Sequence, residues 1–151
     1  MVNRAVLLDA GPLGLVTNPR PSPHSTLCVQ WLHSLVGAGV LVIVPEITDY
    51  EIRRELIRAN KTNGLRQLDA LASFLEYLPL TTAAMRQAAQ FWAAARQQGQ
   101  PTAGDKTIDC DVIVAAQAAN LGVSDVVIAT TNVAHLARFV PAELWPNIRP
   151  D

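Results

Sequence analysis

The stretch that most constrains this chain is Arg4-Ala5-Val6-Leu7-Leu8-Asp9, which runs straight into Ala10-Gly11-Pro12. A short apolar run of this kind reads as a strand buried on both faces, the habit of a central strand in a parallel sheet. It closes on a carboxylate, and Gly and Pro then stop the strand and begin a loop or helix. In open α/β sheets the carboxyl ends of the central strands form the ligand crevice. Asp9 therefore stands where chemistry usually sits. The plainer alternative is that it caps the following helix, and this stretch alone does not separate the two.

The rest of the chain alternates helices with strands. Residues 12–16 suit a helical turn, and 18–23, rich in proline, break the chain. Ser25 is expected to cap a helix reaching about residue 36, with Leu27, Trp31 and Leu35 as its buried stripe. Residues 40–44 form a second buried strand, and Pro45 is expected to open the next helix. That helix extends to about residue 60, with Ile52, Leu56 and Ala59 inward and Glu51, Glu55 and Arg58 on an adjacent face. A helix over 64–75, a short strand at 77–80 and an alanine-rich helix over 82–98 follow, the last burying Met85, Ala88, Trp92 and Ala95. A polar loop at 100–106 leads to a nearly all-apolar helix from Thr107, with Asp109 and Asp111 at its start. Residues 125–130 form another strand, closing on Thr131 and Asn132, and the tail adds one edge strand within 139–148. The alternation argues a three-layer α/β/α sandwich with a mostly parallel central sheet, in a single domain spanning 1–151.

Bulk properties narrow the classes. A formal charge of −1 over 151 residues gives no general basic field, so nucleic-acid binding would need local cations or a metal. Cys28 and Cys110 have neither a CxxC spacing nor a disulfide framework, which fits a reducing cytoplasm. Asp9 interrupts the early apolar run, so no signal peptide or membrane span is expected.

The acids and amides recur at one structural place. Asp9 follows the first strand, Asn132 the late strand, Asp109 and Asp111 open a buried helix, and Glu51 lies in the helix after the second strand. In a parallel sheet these can converge at the carboxyl edge. Clustered carboxylates raise one another's pKa unless a cation neutralises them. A hard oxygen set suits Mg²⁺ or Mn²⁺. Each residue also has an ordinary explanation: Asp109 and Asp111 complement a helix dipole, Glu51 pairs with Arg54, and Asn132 serves a turn. His135 reads as a surface or partly buried residue rather than a ligand. Neither a P-loop nor a dinucleotide fingerprint is present.

Four segments in order resemble the PIN-domain ribonucleases, especially the VapC-type toxins of bacterial toxin–antitoxin pairs. They are Val6-Leu7-Leu8-Asp9-Ala10-Gly11-Pro12-Leu13, Pro45-Glu46-Ile47-Thr48-Asp49-Tyr50-Glu51-Ile52-Arg53-Arg54-Glu55-Leu56, Asp111-Val112-Ile113-Val114-Ala115-Ala116-Gln117-Ala118, and Ile128-Ala129-Thr130-Thr131-Asn132-Val133-Ala134-His135-Leu136. The resemblance implies a PIN-like fold and metal-dependent hydrolysis of RNA, leaving a 5′-phosphate and a 3′-hydroxyl. It implies Asp9, Glu51, Asp111 and Asn132 as catalytic residues, the first three holding Mg²⁺ or Mn²⁺. Asp109 and Thr130 are secondary candidates, the latter orienting the metal shell or water. Asn132 stands where a carboxylate would complete an acidic quartet, which weakens a second metal. Arg53, Arg54 and Arg58 are candidate phosphate contacts; a solvated, ion-paired helix face explains them equally well. A cognate antitoxin and a homodimer follow from the resemblance alone, with Trp31 and Leu35 offering apolar surface for the dimer.

Two other readings stand beside this one. A Mg²⁺-dependent phosphatase with Asp9 as nucleophile would want a second acid where Gly11 stands. A PIN-like scaffold that binds RNA or protein with little catalysis is kept open by Asn132.

Overall fold

The first strand is central because it is apolar on both faces, and both faces are covered. The computed structural model describes residues 4–99 and 105–151. In it β1 (Arg4–Leu8) pairs in parallel with β2 (Leu41–Pro45) on one side and β4 (Asp125–Thr130) on the other. β3 (Glu76–Leu78) extends the β2 side and β5 (Ala142–Leu144) the β4 side, giving the all-parallel order β3-β2-β1-β4-β5. The connecting helices are α1 (Ala10–Val16), α2 (Pro23–Gly37), α3 (Glu46–Arg58), α4 (Thr62–Phe74), α5 (Thr82–Gln97), α6 (Asp105–Ala119) and the short α7 (Val133–Leu136).

Strand alternation splits the core in two. Val6 and Leu8 of β1, Val42 and Val44 of β2, and Val127 and Ala129 of β4 pack with Leu13, Leu35, Leu56 and Leu68. Ala5, Leu7, Ile43 and Ile128 face the other way, against Val114, Ala115 and Ala118 of α6. The chain moves from β1 outward through β2 and β3, then returns to the far side of β1 for β4. The order therefore reverses between β1 and β4, the place where ligands bind in open α/β sheets.

Several expected details shift. Ser22, rather than Ser25, caps α2: its hydroxyl accepts from the Ser25 N–H at 3.1 Å, while Ser25 Oγ accepts from the Ser22 N–H at 2.7 Å. The buried face of α2 passes through Cys28, Trp31, Leu32 and Leu35, and Leu27 is 57% exposed. Trp31 and Leu35 are thus core residues; the Trp31 indole donates to Ile148 O at 2.9 Å, and they offer no dimer surface. Pro45 ends β2, paired with Leu78, instead of starting α3. Ala59 is exposed and Ile52 half-buried, leaving Leu56 as the buried member of that stripe. On α5, Met85 and Trp92 are exposed, because Ala84 and Ala88 make the close approach to Val112 and Ala116 of α6. Of the expected loop, 100–104 lie outside the described residues, and α6 already begins at Asp105. The tail does supply an edge strand, β5.

Candidate metal centre at the sheet switch point

Asp9 leaves β1 at this reversal and is the residue before α1. Its backbone N–H donates to Ala129 O at 2.9 Å, which carries the β1–β4 ladder one residue further and fixes Asp9 beside the end of β4. The last residue of β4, Thr130, is fully buried, and its hydroxyl donates to Asp9 Oδ2 at 2.8 Å. The Thr130 Oγ1 in turn accepts the Asn132 backbone N–H at 2.9 Å, so one hydroxyl ties the Asp9 carboxylate to the turn after β4. Gly11 makes this closeness possible. A Cβ there would stand 2.5 Å from Thr131 Cγ2 and 3.1 Å from Thr131 Cβ, far inside normal contact.

The other carboxylates arrive on α6 and α3. Asp111 Oδ2 lies 3.2 Å from His135 Nδ1, and that nitrogen lies 3.3 Å from Asn132 Nδ2. Glu51 lies beside Cys110 and within electrostatic reach of Asp9 and Asp111. Burial raises the pKa of Asp9 above the ordinary carboxylate range, against the lowering effect of Thr130. Burial, then the Asp9 charge, raises Asp111, with His135 opposing. Burial and the charges of Asp9 and Asp111 raise Glu51, with Arg54 opposing. Burial also pushes the Cys110 thiol up to about 11, so it stays protonated.

The donor chemistry fits a hard divalent cation: three carboxylates share one desolvated region, and each is raised by burial. One helical turn before Glu51, the buried Thr48 Oγ1 has no hydrogen-bond partner among the described residues, a polar atom still to be satisfied. Among the described residues, no group of three or more His, Cys, Asp or Glu side chains is placed to hold a metal ion. Mg²⁺ is usually held through one or two carboxylates, with waters and substrate phosphates supplying the rest.

The remaining candidates separate. Asp109, two residues before Asp111, falls on a different face of α6; it is exposed and lines an apolar hollow with Met85 and Trp92. Arg53 is taken up by Asp49 at 3.0 Å and Asp69 at 2.8 Å. Arg58 pairs with Glu55 at 2.8 Å on an exposed face. Arg54 is exposed, lies over the Tyr50 ring at 5.1 Å, and acts on Glu51, so it is the arginine of the three closest in effect to the acids. A hollow of about 720 Å³ lies elsewhere, lined by Arg20, Asn60 and Lys61.

Two residues that matter here escape sequence reasoning. His135 reads from the sequence as a surface or partly buried residue, and it is half-buried; nothing in its spacing ties it to Asp111 on a distant helix. Gln117, on the apolar helix α6, is 2% exposed. Its Oε1 accepts from Ile47 N–H at 3.3 Å and its Nε2 donates to Leu78 O at 2.9 Å, which locks α6 against the start of α3 and the end of β3. A lone amide in an apolar helix is the signal that would have pointed to it.

The all-parallel sheet and its flanking helices give the chain a PIN-like α/β fold. Among solved structures, the chain is similar to one in FitAcB from Neisseria gonorrhoeae, at 20% identity over 95% of this chain and 99% of that one, with a TM-score of 0.70. It is also similar to a chain of VapBC2 from Rickettsia felis bound to a promoter DNA fragment, at 15% identity, 93% and 98% coverage, and a TM-score of 0.67. A third is VapBC-5 from Mycobacterium tuberculosis, a member of the VapBC family of toxin–antitoxin systems, at 22% identity, 96% and 98% coverage, and a TM-score of 0.57. At these identities the likeness is one of fold. Neither the protein-family models nor the curated proteins give a match. Among the described residues, no helix is long and apolar enough to cross a membrane.

Proposed function

We propose that this protein is a metal-dependent endoribonuclease acting as the toxin of a toxin–antitoxin pair. The observation that carries the reading is the convergence of Asp9, Glu51 and Asp111, each with its pKa raised by burial, at the point where the strand order reverses. The likeness to chains of VapBC structures supports the toxin role and a cognate antitoxin partner. A homodimer and a single domain over 1–151 belong to the same reading.

Asp9 and Asp111 would hold a Mg²⁺ or Mn²⁺ ion, with Glu51 as a further ligand or a water positioner. Such an ion supplies a water of lowered pKa and stabilises charge building on the phosphate. The chain's own residues do the rest. Thr130 engages one Asp9 oxygen and orients the carboxylate. Glu51, with its raised pKa, orients the attacking water and accepts its proton. Arg54, exposed beside Glu51 and lying over Tyr50, contacts a backbone phosphate, and Tyr50, 55% exposed, offers a ring for an unpaired base. Arg58, held by Glu55, has a lesser part.

The test is cleavage of a mixed single-stranded RNA pool with Mg²⁺, Mn²⁺ or EDTA, beside an Asp111→Asn control. Cutting that needs metal and vanishes in the control is the expected result. A folded protein that cuts under no condition would replace this reading with the binding scaffold.

A further inference from the structure

We infer that His135 is a positioning residue that holds Asp111 for the metal. The inference rests on the metal-binding reading above and goes beyond it by assigning a residue and a role.

The argument begins with Asn132. An amide at this place is a poor ligand for a hard divalent ion compared with a carboxylate, and it carries no charge. Its side chain is turned toward His135, with Asn132 Nδ2 at 3.3 Å from the imidazole Nδ1. The spacing of three residues puts both at the start of α7, on neighbouring positions of one turn. The other side of the same Nδ1 faces Asp111 Oδ2 at 3.2 Å. With its proton on Nδ1, the ring donates to Asp111 Oδ2; the Asn132 amide nitrogen is itself a donor, so it is a neighbour of that N–H and not its hydrogen-bond partner.

The consequence lies at the carboxylate. Asp111 comes from α6, whereas Asp9 comes from β1, and nothing in the sheet ladder fixes their spacing. A hydrogen bond to Oδ2 selects one rotamer of Asp111 and leaves Oδ1 for a cation. This is the same arrangement that Thr130 imposes on Asp9 through its own Oδ2. Each aspartate thus has one oxygen engaged by the β4–α7 segment. Outer groups that orient a ligating carboxylate typically account for 10–100-fold in metal affinity. Leu136, fully buried next to His135, anchors α7 in the core and keeps the imidazole at this height above the sheet.

Calorimetric titration with Mg²⁺, Mn²⁺ and Ni²⁺, each alone, tests this on the unmodified protein, His135→Ala and His135→Asn. An asparagine amide nitrogen occupies nearly the position of Nδ1, so it can restore the hydrogen bond without the ring. The expected result is a roughly tenfold loss of affinity in His135→Ala for all three ions, recovered largely in His135→Asn, with the melting temperature of the metal-free proteins unchanged. Unaltered affinities in His135→Ala would overturn the inference. A loss far greater for Ni²⁺ than for Mg²⁺ would also overturn it, because an imidazole that binds the ion directly favours the later transition metals. Metal binding without RNA cleavage would remove the nuclease reading and leave this one standing. No metal binding by the unmodified protein would overturn both.

Discussion

Asp9 and Asp111 face the same region, yet they are supported in opposite ways. Asp9 is held by the sheet: its N–H extends the ladder to Ala129, and its carboxylate takes the hydroxyl of a fully buried threonine. Asp111 is held from the rim, by an imidazole that is itself 30% exposed and stands on a four-residue helix. The first support cannot change without disturbing β1 and β4. The second can change with little cost to the fold. The comparison teaches that one half of the centre is built into folding and the other half is laid on afterwards.

Removing either carboxylate should have the largest effect. Asp9→Asn or Asp111→Asn should lower RNA cleavage about 10³-fold, the loss of several kcal/mol of transition-state stabilisation, as measured by initial rates with Mn²⁺. Here the two halves behave alike, and a variant that cut at the unmodified rate would exclude its residue from the centre.

Stability then separates them. Gln117→Ala leaves the Ile47 N–H and the Leu78 carbonyl without their partner, so urea unfolding should show a loss of about 2–3 kcal/mol. Thr130→Val keeps the shape but strips the hydroxyl that serves both Asp9 and the Asn132 N–H, and should cost about 1–2 kcal/mol. Asn132→Ala, on the exposed side, should change stability by less than about 0.5 kcal/mol. Equal losses for Thr130→Val and Asn132→Ala would erase the distinction between a built-in and an added support.

The smallest effect concerns pH. Asp9, Glu51 and Asp111 have folded-state pKa values raised chiefly by burial, so the native protein keeps protons that the unfolded chain gives up. Their contribution to stability is therefore greatest below the ordinary carboxylate range and is lost as pH rises through it toward the raised values. In EDTA, Asp9→Asn should consequently melt above the unmodified protein at pH 7, and the gap should close as pH falls through the ordinary carboxylate range. Added Mn²⁺ should reverse the order by stabilising only the unmodified protein. A gap that persists below the ordinary carboxylate range would mean the gain comes from something other than charge.

Much of the centre was legible because strands and helices have fixed periods. The apolar run ending at Asp9 points to the sheet edge, and Glu51 follows once α3 is placed after β2; Asp111, expected near the start of its helix, stands about a turn and a half into α6, which begins at Asp105. Asp109 was not separable from Asp111 by sequence, since the phase of α6 depends on how closely its alanines meet those of α5. Phase misled in the same way at Leu27 and at Met85 and Trp92, where small residues took the interior positions that large ones were expected to fill. His135 and Gln117 were beyond reach for another reason: their partners lie 24 and 70 residues away, in Asp111 and Ile47, and no local pattern records such a pairing.

The absent side chain at Gly11 has a consequence of its own. Thr131 occupies the volume that a methyl group at position 11 would need. The Thr131 side chain is exposed, so a small substitution at position 11 would be met first by its rotation, and only a larger one would push the turn after β4, with Thr130 and Asn132, away from Asp9. A position that carries no chemistry thus sets how closely that turn can approach the carboxylate.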